Sequence, residues 1–368
     1  MSAKIESIAR TSPRMPQAVP LLQRRLAGAK RAYTARHFTE FSAAHLLDDK
    51  SLAPRSGDLV LARVDKLGKH AQLEQSNGRK STLFVGDEIV VAYAARYAPD
   101  QFEAHVPGDL SPCQLVAGGG VAARVLSKNV GIAAATEITP LGLLADAAGQ
   151  RLNLAQHALA VRPAAARRPV TLASVGTSMN AGKTTSAAHL IRGLVRAGYK
   201  VGAAKITGTG SGNDPWLLRD AGAQAVLDFT DAGFASTHLI TLSELHAVMQ
   251  RLLSNLAAQQ VDAIVVEVAD GLFQCETAQL LKSPEFKEAI DGLVFSSGDA
   301  MGAAAGANWL QAQGLPVLAL AGVLTKSPLA RREAHEATGL PVLGLEELGD
   351  AEVAARLLGS ATAVVAAA

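Results

Sequence analysis

The sequence is poor in the residues that build several common kinds of functional site. Its two cysteines, Cys113 and Cys275, lie far apart and outside any Cys-x-x-Cys pair, so we expect neither a disulfide framework nor a zinc site. Nine histidines are scattered without metal-ligand or catalytic-triad spacing. No apolar run approaches the roughly 18 residues that span a bilayer. These absences argue against zinc chemistry and hydrolytic triads, and they predict a cytoplasmic protein with no membrane segment.

Aromatic residues and net charge are also low. Aromatics make up 4% of the chain, charged residues 18%, and the formal net charge is +2, too small to attract a polyanion to the whole molecule. Residues 1 to 36 differ, because eight basic side chains stand there against one acid. This segment is either a solvated N-terminal arm or an arm that binds nucleic acid or a partner. We expect the former and predict no nucleic-acid partner.

The rest of the chain divides into two regions with different patterns, and 368 residues are enough for two domains. After a basic N-terminal segment (1–56), short β-prone runs alternate with turns over residues 57–162, which predicts a small all-β, barrel-like domain. Prolines and small residues indicate a linker at 163–169. From 170 to 368, apolar strands alternate with helical stretches, which predicts an α/β domain with a doubly wound parallel sheet.

A glycine-rich loop stands between a predicted strand and a predicted helix at the start of the α/β domain. It reads Gly176-Thr-Ser-Met-Asn-Ala-Gly182-Lys183-Thr184-Thr185. Backbone N–H groups, a helix N-terminus and a lysine in this order are typical of the phosphate loop of a P-loop NTPase. Lys183 would bridge the β- and γ-phosphates, and Thr184 would ligate Mg²⁺. The predicted nucleotide contacts in the loop are Gly176, Thr177, Asn180, Ala181, Gly182, Lys183, Thr184 and Thr185.

Two charged residues further along the chain complete the predicted catalytic set. Lys205 follows Lys183 by 22 residues and would offer a second cation to a phosphate or to a carboxylate being activated. Glu267 ends a predicted strand and would lie on the Mg²⁺ side of the site, with Asp270 as a weaker candidate. Lys183, Lys205 and Glu267 are therefore the predicted catalytic residues.

Other polar residues are candidates for metal, substrate and base contacts. Asp214 is either a metal or substrate ligand or the N-cap of a helix over 215–220. With it, Thr184 and Glu267 form the predicted metal ligands. Thr207 and Thr209 are the predicted substrate contacts, and Thr325 follows a strand at the usual position of a base-binding loop. That loop lacks the Asn-Lys-x-Asp string that reads guanine in many GTPases, so we expect ATP, with GTP not excluded.

These motifs resemble those of the dethiobiotin synthetase family. The second glycine of the loop follows the first by six positions, as in that family, and the Lys205 segment and the strand ending at Glu267 match two further family motifs. The stretch 211–223 is similar, more weakly, to the GTP-binding adaptor of molybdopterin-guanine dinucleotide synthesis. Both resemblances fall within residues 170 to 345. The first implies a Mg²⁺-dependent enzyme that uses ATP to activate a carboxylate or related oxyanion of a small metabolite.

Two other functions stay open at this stage. One is a nucleotide-switch or maturation NTPase, in which hydrolysis moves the barrel and a protein partner is the client. The other is an ATPase associated with nucleic acid through the basic N-terminus. In each case we expect a homo-oligomer, in the form of a dimer.

Overall fold

The computed structural model describes residues 21–39, 42–165 and 167–367. Their N-terminal part is rich in β-strands, and their C-terminal part alternates strands and helices. Of the predicted basic arm, Lys4, Arg10 and Arg14 lie outside the described residues. No helix in the described part is long and apolar enough to cross a membrane.

The N-terminal part begins with one helix and continues with short strands. The helix is α1 (Leu21–Gly28). The strands are β1 (Lys30–Arg31), β2 (His45–Leu47), β3 (Leu59–Lys66), β4 (Gln72–Glu74), β5 (Lys80–Thr82), β6 (Glu88–Tyr93), β7 (Arg96–Tyr97), β8 (Phe102–His105), β9 (Cys113–Ala117), β10 (Val121–Lys128) and β11 (Thr136–Ala145).

Five of these strands close into a barrel, which confirms the predicted architecture. Strand β6 pairs with β3, β3 with β11, β11 with β9, and β9 with β10, all antiparallel, and β10 returns to β6 in parallel. Along β3, Leu59 and Leu61 pack in one apolar cluster, while Val60 and Ala62 pack in another. Because neighbouring side chains of a strand point to opposite faces, both faces of this sheet are covered, and the strand reads as one apolar run.

The sheet begins earlier in the chain than residue 57, the predicted start of the β-rich domain. Lys30 and Arg31 in β1 pair with Ile89 and Val90 of β6, and β2 pairs with β11. A two-residue basic strand carries no alternating apolar pattern, so the sequence offered no sign of it. Residues 21–39 therefore belong to the packed structure and are not a solvated arm.

The C-terminal part has a six-stranded parallel sheet with the order β14-β13-β15-β12-β16-β17. Its strands are β12 (Val170–Gly176), β13 (Val201–Lys205), β14 (Ala225–Asp228), β15 (Ala263–Glu267), β16 (Gly292–Ser296) and β17 (Val317–Ala321). The helices are α2 (Lys183–Arg196), α3 (Asn213–Asp220), α4 (Leu242–Ala257), α5 (Cys275–Lys282), α6 (Pro284–Ala289), α7 (Ala300–Ala312), α8 (Pro328–Thr338), α9 (Leu345–Leu348) and α10 (Ala351–Ala367).

Two apolar cores cover the two faces of this sheet, as the doubly wound prediction requires. On one face the sheet packs against α4 and α7, with Leu245 and Ala303 in the core. On the other it packs against α2 and α10, with Ile191 and Ala354 in the core. All neighbouring strands run parallel, so their carboxyl ends meet at one edge.

The barrel packs on the α/β domain through buried ionic contacts near β14. The Tyr33 hydroxyl donates to Asp228 Oδ2 at 2.7 Å. The Arg36 guanidinium pairs with Asp231 at 2.7 Å and lies over the Tyr33 ring, 4.3 Å from its centroid. Asp228 is 1% exposed and its Oδ1 lies 3.3 Å from the Arg36 guanidinium, so removal of Arg36 would leave this carboxylate buried without a cation.

A second contact involves the loop between β13 and α3. Glu74 Oε2, in the barrel, accepts hydrogen bonds from Ser211 Oγ at 3.1 Å and from the Gly212 N–H at 2.9 Å. A Cβ on Gly119 would lie 2.0 Å from the carbonyl oxygen of Gly210. The two backbones therefore touch at a distance that only glycine permits.

Helix α3 also touches the barrel, through Trp216. A Cβ on Gly78, in the turn between β4 and β5, would lie 2.6 Å from Trp216 Nε1, so this turn lies directly against the indole. The Arg219 guanidinium lies 5.3 Å from the ring centroid. Among the residues described, no acceptor is within hydrogen-bond distance of Trp216 Nε1.

Candidate nucleotide-binding site

The glycine-rich loop joins β12 to α2 at the carboxyl edge of the parallel sheet. Gly182 precedes α2 with φ +103°, and a Cβ there would lie 2.9 Å from Gly322 Cα. Gly322 follows β17, also has positive φ, and its own Cβ would lie 2.3 Å from the Ala181 carbonyl oxygen. The loop is therefore seated on the end of β17, and this packing requires glycine at both positions.

Lys183 and Thr184 open α2 and turn their polar groups toward the cavity. Lys183 Nζ donates to the Ser178 carbonyl at 2.7 Å, so the ammonium group lies over the loop. Burial lowers the pKa of Lys183, and the carboxylates of Glu267 and Asp270 offset part of that effect. Thr184 Oγ1 donates to Glu267 Oε1 at 2.9 Å. The helix N-terminus, the lysine and the hydroxyl thus converge on one point, as phosphate binding requires.

Lys205 lies between two carboxylates at the end of β13. Its Nζ is 3.4 Å from Glu267 Oε1 and forms a closer ion pair with Asp214. Burial by itself lowers the pKa of Lys205, but Asp214 and Glu267 outweigh it, and the net pKa is raised. Burial raises the pKa of Glu267, and the two lysines offset only part of this. Lys205 therefore stays charged, whereas the pKa of the Glu267 carboxyl group stays raised by burial.

The donors at this point fit a magnesium ion. In the described part of the chain, no group of three or more His, Cys, Asp or Glu could hold a metal by itself. Glu267 Oε2 is nevertheless buried without a hydrogen-bond partner among those residues, beside the Thr184 hydroxyl. In nucleotide sites Mg²⁺ takes one or two protein oxygens and completes its shell with phosphate and water. Thr184 and Glu267 would hold it, with Asp214 nearby.

A cavity of about 920 Å³ extends from these groups to the segment after β17. Lys183, Lys205 and Glu267 line one end. The other end is lined by Thr325, Lys326, Arg331 and residues 344–347. The cavity thus has one end beside the phosphate loop, suited to phosphates, and a second end formed by the segment after β17, α8 and the start of α9, which we call the base end.

The base end contains residues that the sequence analysis missed. Arg331, in α8, pairs with Glu347 at 2.6 Å, and Glu346 lines the same wall. Thr325, the predicted base contact, lines the cavity, but its hydroxyl donates to the Gly322 carbonyl at 2.8 Å. Residues 344–347 lie far along the chain from the phosphate loop and match no short motif. The one sequence signal near them is that they follow the last strand, β17, and α8.

Most of the predicted site residues line this cavity together. They are Asn180, Gly182, Lys183, Thr184, Thr185, Lys205, Asp214, Glu267, Asp270 and Thr325. Gly176, Thr177 and Ala181 are absent from its lining and support the loop from behind. A Cβ on Gly176 would lie 2.8 Å from Lys183 Cγ, and the Thr177 N–H donates to the Ser296 carbonyl at 3.0 Å.

The two predicted substrate contacts do not line the cavity. Thr207 is buried and its hydroxyl donates to the Ala269 carbonyl, so it holds the loop after β15 in place. Thr209 lines a different cavity, between the barrel and the α/β domain. Both follow Lys205 by an even number of residues, but β13 ends at Lys205, so the alternation of a strand no longer fixes the direction of their side chains.

The open question about Asp214 is resolved by the start of α3. The helix begins at Asn213, the N-cap is Gly212, and no side chain caps it. The predicted alternative, Asp214 as the N-cap of a helix over 215–220, is therefore wrong, and its carboxylate contacts Lys205 instead.

The barrel reaches the phosphate loop itself. Asn180 has φ +64°, in the left-handed region, and its side-chain amide donates to Asp100 Oδ2 at 3.0 Å. Asp100 lies in the turn between β7 and β8. A side chain of the barrel thus contacts Asn180, which lines the nucleotide cavity.

A protein-family model and several solved structures are similar to this chain. The family model is "Molybdopterin guanine dinucleotide synthesis protein B", which matches residues 171–271. No curated protein matches the chain significantly in sequence. The family match agrees with the weaker of the two resemblances, and the resemblance to dethiobiotin synthetase stays a prediction.

The similar structures align with about half of this chain. The signal recognition particle 54 kDa protein from Aeropyrum pernix K1, in complex with GDP, is 23% identical over 56% of this chain and 50% of its own, with a TM-score of 0.35. The ParA family ATPase from Chlorobium tepidum TLS is 14% identical over 52% and 98%, with a TM-score of 0.32. The Archaeoglobus fulgidus nucleotide-binding protein, in complex with ADP, is 13% identical over 50% and 87%, with a TM-score of 0.35.

The alignment therefore spans about half the length of the signal recognition particle protein. The family model begins in β12, includes the phosphate loop and Lys205, and ends just after Asp270, so it covers every charged residue of the phosphate end. The C-terminal part of this chain has the doubly wound α/β fold with a phosphate loop between β12 and α2, and residues 171–271 are similar to molybdopterin guanine dinucleotide synthesis protein B.

Proposed function

We propose that the chain is a Mg²⁺-dependent enzyme that transfers the γ-phosphoryl group of a nucleoside triphosphate to an oxyanion of a small metabolite. The observation that carries the proposal is Lys205. It is a second buried cation, 8% exposed, at the phosphate end of the cavity and outside the phosphate loop. One loop lysine is enough to bind a nucleotide, whereas two converging cations suit the neutralisation of charge that passes between donor and acceptor.

The residues at the phosphate end of the cavity have separate roles in this reaction. Lys183 exchanges its contact with the Ser178 carbonyl for phosphate oxygens, and the α2 N-terminus adds its N–H groups. Thr184 and Glu267 hold Mg²⁺, which neutralises phosphate charge when bound. Lys205 faces the γ-phosphate and the incoming oxyanion. An acceptor carboxylate oxygen forms the new bond to phosphorus, the bond to the β–γ bridging oxygen breaks, and the nucleoside diphosphate leaves with that electron pair.

We propose ATP as the nucleotide and treat GTP as its competitor. At the base end, Glu347 is engaged by Arg331, whereas Glu346 is exposed and forms no ion pair within the described residues. A free carboxylate can accept the amino group of adenine or the paired N–H donors of guanine. Competition of ATP and GTP for a fluorescent nucleotide, repeated with Glu346→Gln, decides between them: selective loss of GTP binding in the variant would reverse the assignment.

A metabolite panel tests the reaction. Wild-type protein with Mg·ATP is screened against small carboxylic and phosphorylated compounds, and release of ADP is measured with and without hydroxylamine, which traps an acyl phosphate. We expect at least one compound to stimulate ADP formation and, where that compound is a carboxylic acid, ADP and the trapped hydroxamate to form in equal amounts. Nucleotide turnover that no compound stimulates would contradict phosphoryl transfer.

A nucleotide switch acting on a protein partner is the second candidate. Two contacts favour it, because the barrel touches the phosphate loop through Asp100 and Asn180, and touches the loop after β13 through Glu74. A γ-phosphate that moved either loop would move the barrel. Two results together would favour this function. The hydrogen exchange of residues 70–80 would differ between the ADP-bound protein and the protein bound to a non-hydrolysable triphosphate, and no metabolite would stimulate ADP formation.

The homodimer stays a prediction, which light scattering with and without Mg·ATP tests.

A further inference from the structure

A second cavity, of about 570 Å³, lies between the barrel and the α/β domain. Barrel residues on its wall include Lys69, His70, Lys80 and Arg96. The α/β domain contributes residues 209–211 and Asn213. The next residue, Asp214, lines the nucleotide cavity, so one segment of chain forms a wall of both cavities.

Arg96 is a buried cation that forms no ion pair with a described residue. It is 5% exposed, and no carboxylate of the described residues lies within 4 Å of its guanidinium. Its terminal nitrogens contact Gln101 Oε1 at 3.0 Å and His70 Nε2 at 3.3 Å, and its Nε has no hydrogen-bond partner in the described part. A buried guanidinium that is only partly satisfied is costly unless a ligand completes it.

The other charges on the wall do not supply that anion. Lys69 and Lys80 are exposed, and neither forms an ion pair with a described residue. Glu74 is the one acid among the described lining residues; its Oε2 accepts hydrogen bonds from Ser211 and Gly212, and its Oε1 has no hydrogen-bond partner in the described part. The wall thus carries three cations against one carboxylate, so its net positive charge favours an anion.

The surroundings of Arg96 agree with this. Burial lowers the pKa of Arg96 to about 10, although Asp100 and Asp270 act in the opposite direction. Burial, followed by the nearby Arg96 charge, lowers the pKa of His70 to about 4, so His70 is neutral at pH 7 and can accept or donate a hydrogen bond. An anion bound between Arg96 and His70 would neutralise the Arg96 charge and would raise the pKa values of both side chains.

We infer that this inter-domain cavity is a binding site for a small anionic metabolite bearing a carboxylate or phosphate group, held by Arg96, Lys69 and Lys80. The existence of the site is independent of the reaction. Its role as the acceptor site rests on the proposed phosphoryl transfer, and the segment 209–214 supports it, because Asn213 lines this cavity and the next residue, Asp214, lines the nucleotide cavity.

Direct binding of two probes tests the site. Inorganic phosphate and succinate are titrated calorimetrically into the full-length protein, once alone and once with the phosphate loop occupied by Mg²⁺ and a non-hydrolysable ATP analogue. We expect one of the probes to bind, and Arg96→Gln to weaken that binding by about tenfold or more, the usual value of a charge-assisted hydrogen bond. Phosphate alone would indicate a phosphate-bearing ligand, and succinate alone a carboxylate.

Further variants keep the result interpretable if Arg96→Gln fails to fold. Lys69→Ala and Lys80→Ala remove exposed side chains, and each should weaken binding several-fold. Lys66→Ala, on the same barrel but paired with Glu137 outside the cavity, should leave it unchanged. Equal binding by wild type and all cavity variants, or binding abolished by Lys183→Ala alone, would overturn the site.

The test separates this inference from the proposed function. If a probe binds as expected but no metabolite stimulates ADP formation, the anion site would stand and the phosphoryl transfer would be rejected. If a metabolite stimulates ADP formation and neither Lys69→Ala nor Lys80→Ala changes the KM for that metabolite, the phosphoryl transfer would stand. This cavity would then be rejected as the acceptor site.

Discussion

Lys205 offers the sharpest test of how the phosphate end is built. Replacing it by methionine keeps most of the side-chain volume and removes only the charge between Asp214 and Glu267. Glu267 is 2% exposed, so its carboxylate would then be buried without its cation. Removing one partner of a buried ion pair costs about 3–5 kcal/mol. We expect about 3 kcal/mol at pH 7.5, because the Asp214 side chain is 29% exposed and is reached by water.

The pH dependence of this loss follows from the pKa of Glu267. Burial raises that pKa in the folded state above the value of about 4.3 in the unfolded chain. Between the two values the folded state binds more protons, so the free energy of unfolding falls as pH rises through this window. Lys205→Met raises the folded pKa further. The variant should therefore be close to wild type at pH 4 and reach its full loss only above the folded pKa.

Urea denaturation followed by circular dichroism, at pH 4 to 8, measures the effect. The matched control is the double variant Lys205→Met with Glu267→Gln, which removes the buried charge and should recover about 2 kcal/mol at pH 7.5. In kinetic assays Lys205→Met should bind nucleotide with little change but lower kcat by about 10² to 10³, the usual cost of one transition-state donor. A stability loss that does not vary with pH, or a double variant as unstable as the single one, would refute the reasoning.

Three further outcomes are expected. Lys183→Ala should abolish binding of a fluorescent ATP analogue without unfolding the protein, since its side-chain hydrogen bond is to the Ser178 carbonyl of the loop; unchanged affinity would reject the site. Gly322→Ala should weaken nucleotide binding at least tenfold by displacing the phosphate loop, whereas Gly314→Ala, also at positive φ but with open space around it, should not. Tyr33→Phe should cost about 1.5–3 kcal/mol in urea by removing a hydrogen bond to a buried carboxylate, with Tyr199→Phe near zero.

Local patterns predicted the phosphate end well. The phosphate loop, Lys205 and Glu267 each lie at the carboxyl end of a strand. Because parallel strands bring their carboxyl ends to one edge of the sheet, recognising the strands was enough to predict that these residues lie together. The Thr241–Glu244 capping box that begins α4 is likewise a local pattern, a threonine followed three residues later by a glutamate. Site roles stay predictions, but the side chains meet in one cavity.

Features that depend on distant packing were not predictable. Strand β14 has only four residues and no alternating pattern, yet it carries Asp228, which anchors the barrel. Arg331 and Glu347 meet across 16 residues with no motif. Arg96 looks like an ordinary strand residue, yet it is 5% exposed and contacts His70 and Gln101, which no local pattern indicates.

The contact between Trp216 and the turn at Gly78 gives the protein an optical reporter that needs no label. The chain has two tryptophans, and the other, Trp309, lies in α7 under the Lys282 ammonium group. In a Trp309→Phe background, all indole emission would come from the place where α3 meets the barrel. Any displacement of the barrel on nucleotide or anion binding would expose that indole to water and shift its emission to the red, so the coupling between the two domains could be followed in real time by stopped-flow fluorescence.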